Sequence, residues 1–196
     1  LVCGEVADQR DPCDDVARRT SDSLGRFALT IERSVRASAG PARAAEPQRV
    51  SLGWRESYPS KGERIRFDVD DLTVRADDWS VEVRVTNATR TSFELGVDRA
   101  RLSFGLMLFA TGTLEEVEEA NRAGRLPGVR LAATIDPLPP DVLAPGESWQ
   151  ATLAGPGSLA AGSHVRVAFG PLRAVGKPPP GIQPVVFWIS DRSHEL

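Results

Sequence analysis

The chain contains few of the residues that carry most acid–base and redox chemistry. Among its 196 residues are two histidines, two cysteines, one methionine and one tyrosine. Neither His164 nor His194 has a serine and a carboxylate spaced around it as in a catalytic triad. The nucleophile elbow, the zinc-binding His-Glu-x-x-His motif, the dinucleotide-binding glycine motif and the phosphate-binding loop are absent from the sequence. We therefore expect a protein that is not an enzyme and that has no metal and no cofactor.

The sequence also lacks an excess of charge and a long hydrophobic run. The formal net charge is −3, which gives no electrostatic basis for binding nucleic acid. No stretch approaches the eighteen or so consecutive apolar residues that a transmembrane helix needs. Lysine occurs only at Lys61 and Lys177, whereas arginine, alanine, glycine and proline are abundant. This bias is typical of bacterial genomes with a high GC content.

Both cysteines lie near the start of the chain. Cys3 and Cys13 are close enough to close a small loop, and disulfides persist mainly outside the cytosol. The spacing favours a disulfide and an extracytoplasmic location, and two free thiols are the alternative. A lipid anchor on Cys3 is a third reading, because residues 1–4 partly match a bacterial lipoprotein signal. Val2, however, occupies the position where such signals have a small residue.

An amphipathic helix is predicted for residues 11–39. Asp11 is a suitable N-cap, Pro12 is a suitable first helical residue, and Gly40 ends the segment. Apolar residues recur at three- and four-residue steps, which gives one apolar stripe. This stripe either packs on the rest of the fold or binds a partner. Its central residues are Leu24, Phe27 and Ile31.

After a linker at residues 41–48, the pattern changes to short alternating segments. Trp79, Val81 and Val83 alternate with polar residues, and a period of two is typical of a half-buried antiparallel strand. Many such segments separated by turn residues predict a mainly β fold, a β-sandwich, over residues 49–196. The strand candidates are 49–54, 64–69, 72–75, 79–87, 93–97, 101–109, 129–135, 149–153, 164–169 and 185–190.

One segment interrupts the β pattern. Thr113 and Glu116 form a capping box, in which each side chain accepts a hydrogen bond from the backbone of the other. A short helix is therefore predicted to run from Thr113 to about Ala123, with Gly124 after its end. We expect its acidic residues to form a solvated surface.

Aspartates cluster in the first strands, and this raises the question of calcium binding. Calcium needs six to eight oxygen ligands, but the EF-hand spacing is missing here. The simpler interpretation is a polar sheet face whose carboxylates pair with arginines across strands, namely with Arg64, Arg66 and Arg75. The aspartates concerned are Asp68, Asp70, Asp71, Asp77 and Asp78.

Two aromatic residues near a predicted strand end could serve as a docking pair. Trp54 and Tyr58, if exposed, could stack on a carbohydrate or a protein partner. Aromatic residues at strand ends also fill the open end of a sandwich, which is the alternative interpretation.

Three stretches resemble the immunoglobulin-like domains of secreted proteins and lipoproteins of Gram-positive bacteria. They are Leu-Thr-Val at 72–74, Val-Glu-Val-Arg-Val-Thr-Asn-Ala-Thr at 81–89 and Leu-Ala-Pro-Gly-Glu-Ser at 143–148. The resemblance implies an immunoglobulin-like antiparallel β-sandwich outside the cytoplasm, but no common activity. The predicted helices at 11–39 and 113–123 depart from the plain domain.

These observations lead to three functional hypotheses. The first is a non-enzymatic binding or structural module of the bacterial cell envelope, with a protein partner or self-association. Membrane contact would then be peripheral, through a partner or a lipid anchor. The second is an accessory subunit of a larger assembly that docks through its N-terminal helix. The third is a cell-wall hydrolase, which would require His164 or carboxylates such as Asp68, Asp70 and Glu94 to converge in a cleft.

Overall fold

The computed structural model describes residues 43–97 and 102–196, which form a mainly β fold of two antiparallel sheets. The predicted fold class is confirmed at this level. Cys3, Cys13 and the predicted amphipathic helix with Leu24, Phe27 and Ile31 lie outside the described residues. Within the described part, no helix is both long and apolar enough to span a membrane.

The described residues form twelve strands and one helix. In chain order they are β1 (Gln48–Tyr58), β2 (Arg64–Val74), β3 (Asp78–Ala88), β4 (Phe93–Glu94), β5 (Gly105–Phe109), α1 (Leu114–Arg122), β6 (Arg130–Leu131), β7 (Thr134–Asp136), β8 (Val142–Leu143), β9 (Ser148–Pro156), β10 (His164–Ala174), β11 (Val185–Ile189) and β12 (His194–Glu195).

The first sheet has five strands in the order β1-β2-β3-β9-β7, and the second has seven strands around the long strand β10. β10 pairs with β5 and β4 and also with β11 and β12. β5 in turn pairs with β6, and β4 pairs with β8. The predicted strand at 129–135 is therefore wrong as a single element, because β6 and β7 belong to different sheets.

One hydrophobic core joins the two sheets. Phe67 of β2 stacks on Trp188 of β11, with the ring centroids 4.5 Å apart. Phe169 of β10 meets both of these rings edge-on. These contacts connect the inner faces of the sheets, and the alternating residues of β2, β3 and β9 complete the core. Burial of this apolar surface is the main stabilising contribution to such a fold.

Irregularities bend the first two strands. The pairing register of β1 and β2 shifts between Ser51 and Trp54, and Gly53 in this interval has a φ of 59°. Glycine suits such a bulge because it adopts positive φ without a steric cost. β2 also shifts register between Val69 and Leu72 against β3, so the two strands predicted at 64–69 and 72–75 are one bent strand.

The two turn motifs that carry the family resemblance meet in space. The backbone N–H of Asn87, at the end of β3, donates to the carbonyl of Glu147 (2.9 Å), and Gly146 N–H donates to the carbonyl of Asn87 (2.7 Å). The Asn87 side chain is fully buried and donates to the carbonyls of Thr91 and Leu143. Asn87 therefore fastens the end of β3 to the turn before β9.

Candidate functional site

The second sheet has a small core of its own on the face that points away from the first sheet. Met107 and Phe109 of β5 and Ala168 of β10 are buried there, although the alternation of β10 predicts a solvent-facing side. α1 and the chain that follows it cover these residues. The covering residues, together with one from β11, are Val117, Leu126, Val129 and Ile189.

The start of α1 is fixed by two kinds of hydrogen bond. Thr113 is the N-cap as predicted, and its hydroxyl accepts from the backbone N–H of Glu116. The reciprocal bond of the capping box is different, because the Glu116 carboxylate accepts from the backbone N–H groups of Ala110 (3.0 Å) and Thr111 (2.8 Å). Glu116 therefore holds the loop between β5 and α1 instead of belonging to a freely solvated acidic surface. Gly124, with a φ of 63°, follows the end of the helix.

Arg166 is fully buried beneath this cover. Its guanidinium donates to the carbonyls of Gly112 (2.8 Å) and Thr113 (3.1 Å) before α1. It also donates to the carbonyls of Ser190 (2.7 Å) and Asp191 (2.6 Å) after β11. Arg166 therefore joins the loop before α1 to the segment after β11. Because Arg166 alternates with Val165 and Val167 along β10, the strand pattern alone would place it on a solvent-facing side, but α1 and the loop before it cover that face.

Further contacts around Arg166 reflect its removal from water. The guanidinium carbon lies 5.7 Å from the centroid of the Phe109 ring, which is within the range of a cation–π interaction. Burial lowers the pKa of Arg166, while the charges of Asp191, Glu56 and Glu116 act in the opposite direction.

Glu56 of β1 connects the first sheet to the same segment. Its carboxylate accepts from the backbone N–H groups of Asp191 (2.9 Å) and Arg192 (3.1 Å). Burial raises the pKa of Glu56 despite these two bonds. At Glu116, burial also opposes ionisation, but the hydrogen bonds from Thr111 and Ala110 outweigh it, so the pKa lies below the usual value. We call Arg166, Glu56 and Glu116 the buried polar cluster after its arginine, because Arg166 is buried and the two glutamates are partly exposed.

No described residue covers the other half of the outer face of the second sheet. The strand register aligns Val142, Glu94, Arg173 and Val185 in one row across β8, β4, β10 and β11. Directly opposite residues share a face, and so do residues two apart on a strand. Exposed apolar side chains surround the Glu94–Arg173 ion pair (4.0 Å), each with between 41% and 48% of its surface accessible. We name this set the open apolar face: Val142, Val175, Val185 and Phe187.

The aromatic pair suggested by the sequence does not form an exposed surface. Trp54 is 5% exposed and belongs to the main core, and Tyr58 is partly buried against that core. Trp54 therefore offers no ring for stacking on a sugar or a partner. The placement of both residues agrees with the alternative interpretation, in which they fill the interior.

The aspartates of the first sheet are paired with arginines, but not with the ones expected. Arg55 of β1 contacts Asp70 (2.7 Å) and lies 3.7 Å from Asp68, and Arg49 contacts Asp71 (2.7 Å). The expected pairing of Asp68 and Asp70 with Arg64, Arg66 and Arg75 is wrong. Arg64 and Arg66 lie on the same strand as these aspartates, whereas Arg55 of β1 lies directly opposite Asp68. Arg75 pairs with Asp78 (2.6 Å) instead.

The two histidines contact different parts of the fold. His164 opens β10 opposite Glu195 of β12, and His194 contacts the side chain of Gln48 (3.0 Å). Glu94 faces Arg173 on the open apolar face, so His164, Glu94 and the aspartates of β2 do not converge. Within the described ranges, no group of three or more metal-ligating side chains is arranged to hold a metal ion.

A shallow groove lies at the other end of the molecule, beside Trp79. It is open to solvent, has a volume of about 270 Å³, and includes Ser80, Thr134 and Gly155 in its walls. The buried Nε1 of Trp79 has no hydrogen-bond partner among the described residues. The groove brings together no set of groups with an evident chemical role.

Comparison with known proteins adds no family or fold assignment. No protein-family model matches the chain, and no curated protein or solved structure is significantly similar to it. The functional argument therefore depends on the geometry of the chain itself.

Proposed function

We propose that the chain is a non-enzymatic binding or structural module of the bacterial cell envelope, and that it binds a protein partner through the open apolar face. The observation that carries the proposal is the contrast between the two halves of one sheet face. One half is buried under the chain's own α1, whereas the other half presents Val142, Val175, Val185 and Phe187 to solvent. Exposed apolar clusters with a polar element among them are typical of protein interaction sites.

The chemistry of the buried polar cluster supports a non-enzymatic role. Arg166, Glu56 and Glu116 have shifted pKa values, which is often a property of active sites. Here, however, their hydrogen bonds go mainly to backbone groups of two loops. A cluster whose hydrogen bonds go mainly to the backbone in this way holds loops in place.

The finer fold assignment and the location are part of the same proposal. An immunoglobulin-like arrangement is supported by the direct bonding of Asn87 to the Gly146–Glu147 turn, since these two motifs carry the resemblance. The extracytoplasmic location is supported by the sequence pattern of Cys3 and Cys13.

Site-directed photo-crosslinking in the source organism tests the proposed surface. A photoreactive amino acid is placed at Phe187 or at Val175, both on the open apolar face. The matched control position is Arg84, an exposed residue of β3 on the opposite sheet. We expect discrete adducts from the first two positions and none from Arg84. Equal labelling at all three positions, or no adduct from Phe187 and Val175, would contradict the proposal.

A further inference from the structure

β11 forms an edge of the second sheet. It pairs with β10 on one side, and no other described strand pairs with its second side. The bonds at its two ends show which backbone groups point inward: Ala174 N–H donates to the carbonyl of Pro184, and Ser190 N–H donates to the carbonyl of Val167. Backbone direction alternates along a strand, so Val185, Phe187 and Ile189 direct their N–H and C=O groups to the free side.

The other edges of the two sheets carry charges or are short, and β11 is neither charged nor that short. The β10–β11 pairing does shift register between Phe169 and Leu172, but the extra residue of this shift lies in β10. β1 carries a bulge at Gly53 and the charged residues Arg49 and Arg55, while β6, β7 and β8 have only two or three residues each. Bulges, charges and shortness are common means of preventing edge-to-edge pairing. β11 has five residues, Val-Val-Phe-Trp-Ile, without a charge or a proline.

We propose that β11 pairs with β11 of a second copy of this chain, antiparallel and centred on Phe187. This inference rests on the proposed function, because Val185 and Phe187 belong both to the open apolar face and to the edge strand β11. In this register Phe187 lies opposite Phe187 of the other copy, and Val185 lies opposite Ile189. The three outward-directed residues of each strand then form about six intermolecular hydrogen bonds in a two-fold arrangement.

A second copy is the occupant for which the strand is self-complementary. The outward-directed residues are spaced evenly about Phe187, so a two-fold axis through that residue matches every donor with an acceptor. No charge lies between Val185 and Ile189, and the pairing therefore brings no like charges together. It also places the Phe187 side chains, each 46% exposed in the single chain, next to each other across the new strand pair.

Sedimentation velocity over a range of protein concentrations tests this inference with the full chain. We expect a dimer that dissociates on dilution. Val185→Pro removes an outward N–H while leaving the inward groups of β11 intact, and we expect it to weaken dimerisation at least about tenfold. Val185→Ala is the matched control, because it shortens the side chain but keeps the N–H, and we expect it to dimerise within about threefold of the natural chain.

A second variant, Phe187→Lys, distinguishes a loss of dimerisation from a folding defect in Val185→Pro. Phe187→Lys places two like charges opposite each other at the two-fold axis, and we expect a monomer. Its urea unfolding midpoint is expected to match that of the natural chain at a protein concentration where the natural chain is also monomeric. A natural chain that stays monomeric at all concentrations, or a Val185→Pro variant that dimerises as tightly as Val185→Ala, would overturn the inference. A monomer that still crosslinks from Phe187 to a different protein would overturn self-pairing alone and leave the proposed function standing.

Discussion

At the scale of single residues, Arg166 joins parts of the chain that are far apart in sequence. It links the carbonyls of Gly112 and Thr113 to those of Ser190 and Asp191, which precede α1 and follow β11. Burying a guanidinium is costly unless its N–H groups have acceptors, and here four carbonyls accept from the two terminal nitrogens, whereas the buried Nε has no partner among the described residues. The position of α1 on the sheet thus depends on one side chain of β10.

Replacing Arg166 is expected to be strongly destabilising. Arg166→Ala leaves four carbonyls without their donor and opens a cavity above Phe109, so we predict a loss of about 3 kcal/mol or more in the free energy of unfolding. Urea denaturation measures this value. Arg84→Ala is the control, because Arg84 is exposed and, among the described residues, bonds only to the Gln150 side chain. We expect a change within about 0.5 kcal/mol. Equal effects of the two substitutions would contradict the structural role of Arg166.

The two glutamates of the buried polar cluster predict opposite responses to pH. Because burial raises the pKa of Glu56, the folded chain keeps this proton to a higher pH than the unfolded chain, and the contribution to stability is lost as the pH rises above about 4.3. The pKa of Glu116 is lowered instead, so its contribution to stability is fully present above about pH 4.3, the usual pKa of a glutamate. This contribution is lost as the pH falls from there through the lower pKa of the folded chain.

Urea unfolding of two glutamine variants between about pH 3 and pH 7 separates these effects. Relative to the natural chain, Glu56→Gln is expected to gain stability as the pH rises. Glu116→Gln is expected to lose stability over the same interval, because the carboxylate that binds Ala110 and Thr111 is absent. If both differences were independent of pH, the assigned pKa directions would be wrong.

At the scale of elements, α1 converts part of a solvent-facing sheet surface into a second core. The sequence contained one sign of this. β5 reads Gly-Leu-Met-Leu-Phe, a continuous apolar run that is typical of a strand buried on both faces. Its partner β10 alternates regularly up to Val167, which predicts an exposed Arg166. The alternation of side chains within a strand does not show whether another element covers one of its faces. For β10 the covering residues come from the separate segment 110–129.

The covering role of α1 predicts a marked effect of a charge on its inner side. Val117→Asp places a carboxylate against Met107 and Phe109, and we expect a loss of about 2–3 kcal/mol in the free energy of unfolding. Glu118→Asp is the matched control on the exposed side of the same helix, with an expected change within about 0.5 kcal/mol. Thermal or urea unfolding measures both. A small effect at Val117 would mean that α1 does not pack on the sheet.

At the scale of the whole molecule, the alternation of short segments was sufficient to predict a mainly β fold, and the capping box at Thr113 was sufficient to predict the inserted helix. It was not sufficient to predict which strands share a sheet, because pairing is decided by contacts between distant segments. The segment at 129–135 shows this, since its two ends join different sheets. The open apolar face was missed for the same reason, because Val142, Val175 and Val185 are close only after β8, β10 and β11 have assembled.

The free edge of β11 can be tested amide by amide. In a single chain, the N–H groups of Val185, Phe187 and Ile189 point away from β10, whereas those of Val186 and Trp188 point toward it. Hydrogen exchange followed by NMR at low and high protein concentration measures the exchange rates of both the outward and the inward amides. We predict fast exchange of the outward amides in dilute solution, slow exchange of the inward amides throughout, and protection of the outward amides as concentration rises. Outward amides that are equally protected in dilute solution, or that never become protected, would contradict β11 as the surface that a second copy of the chain binds.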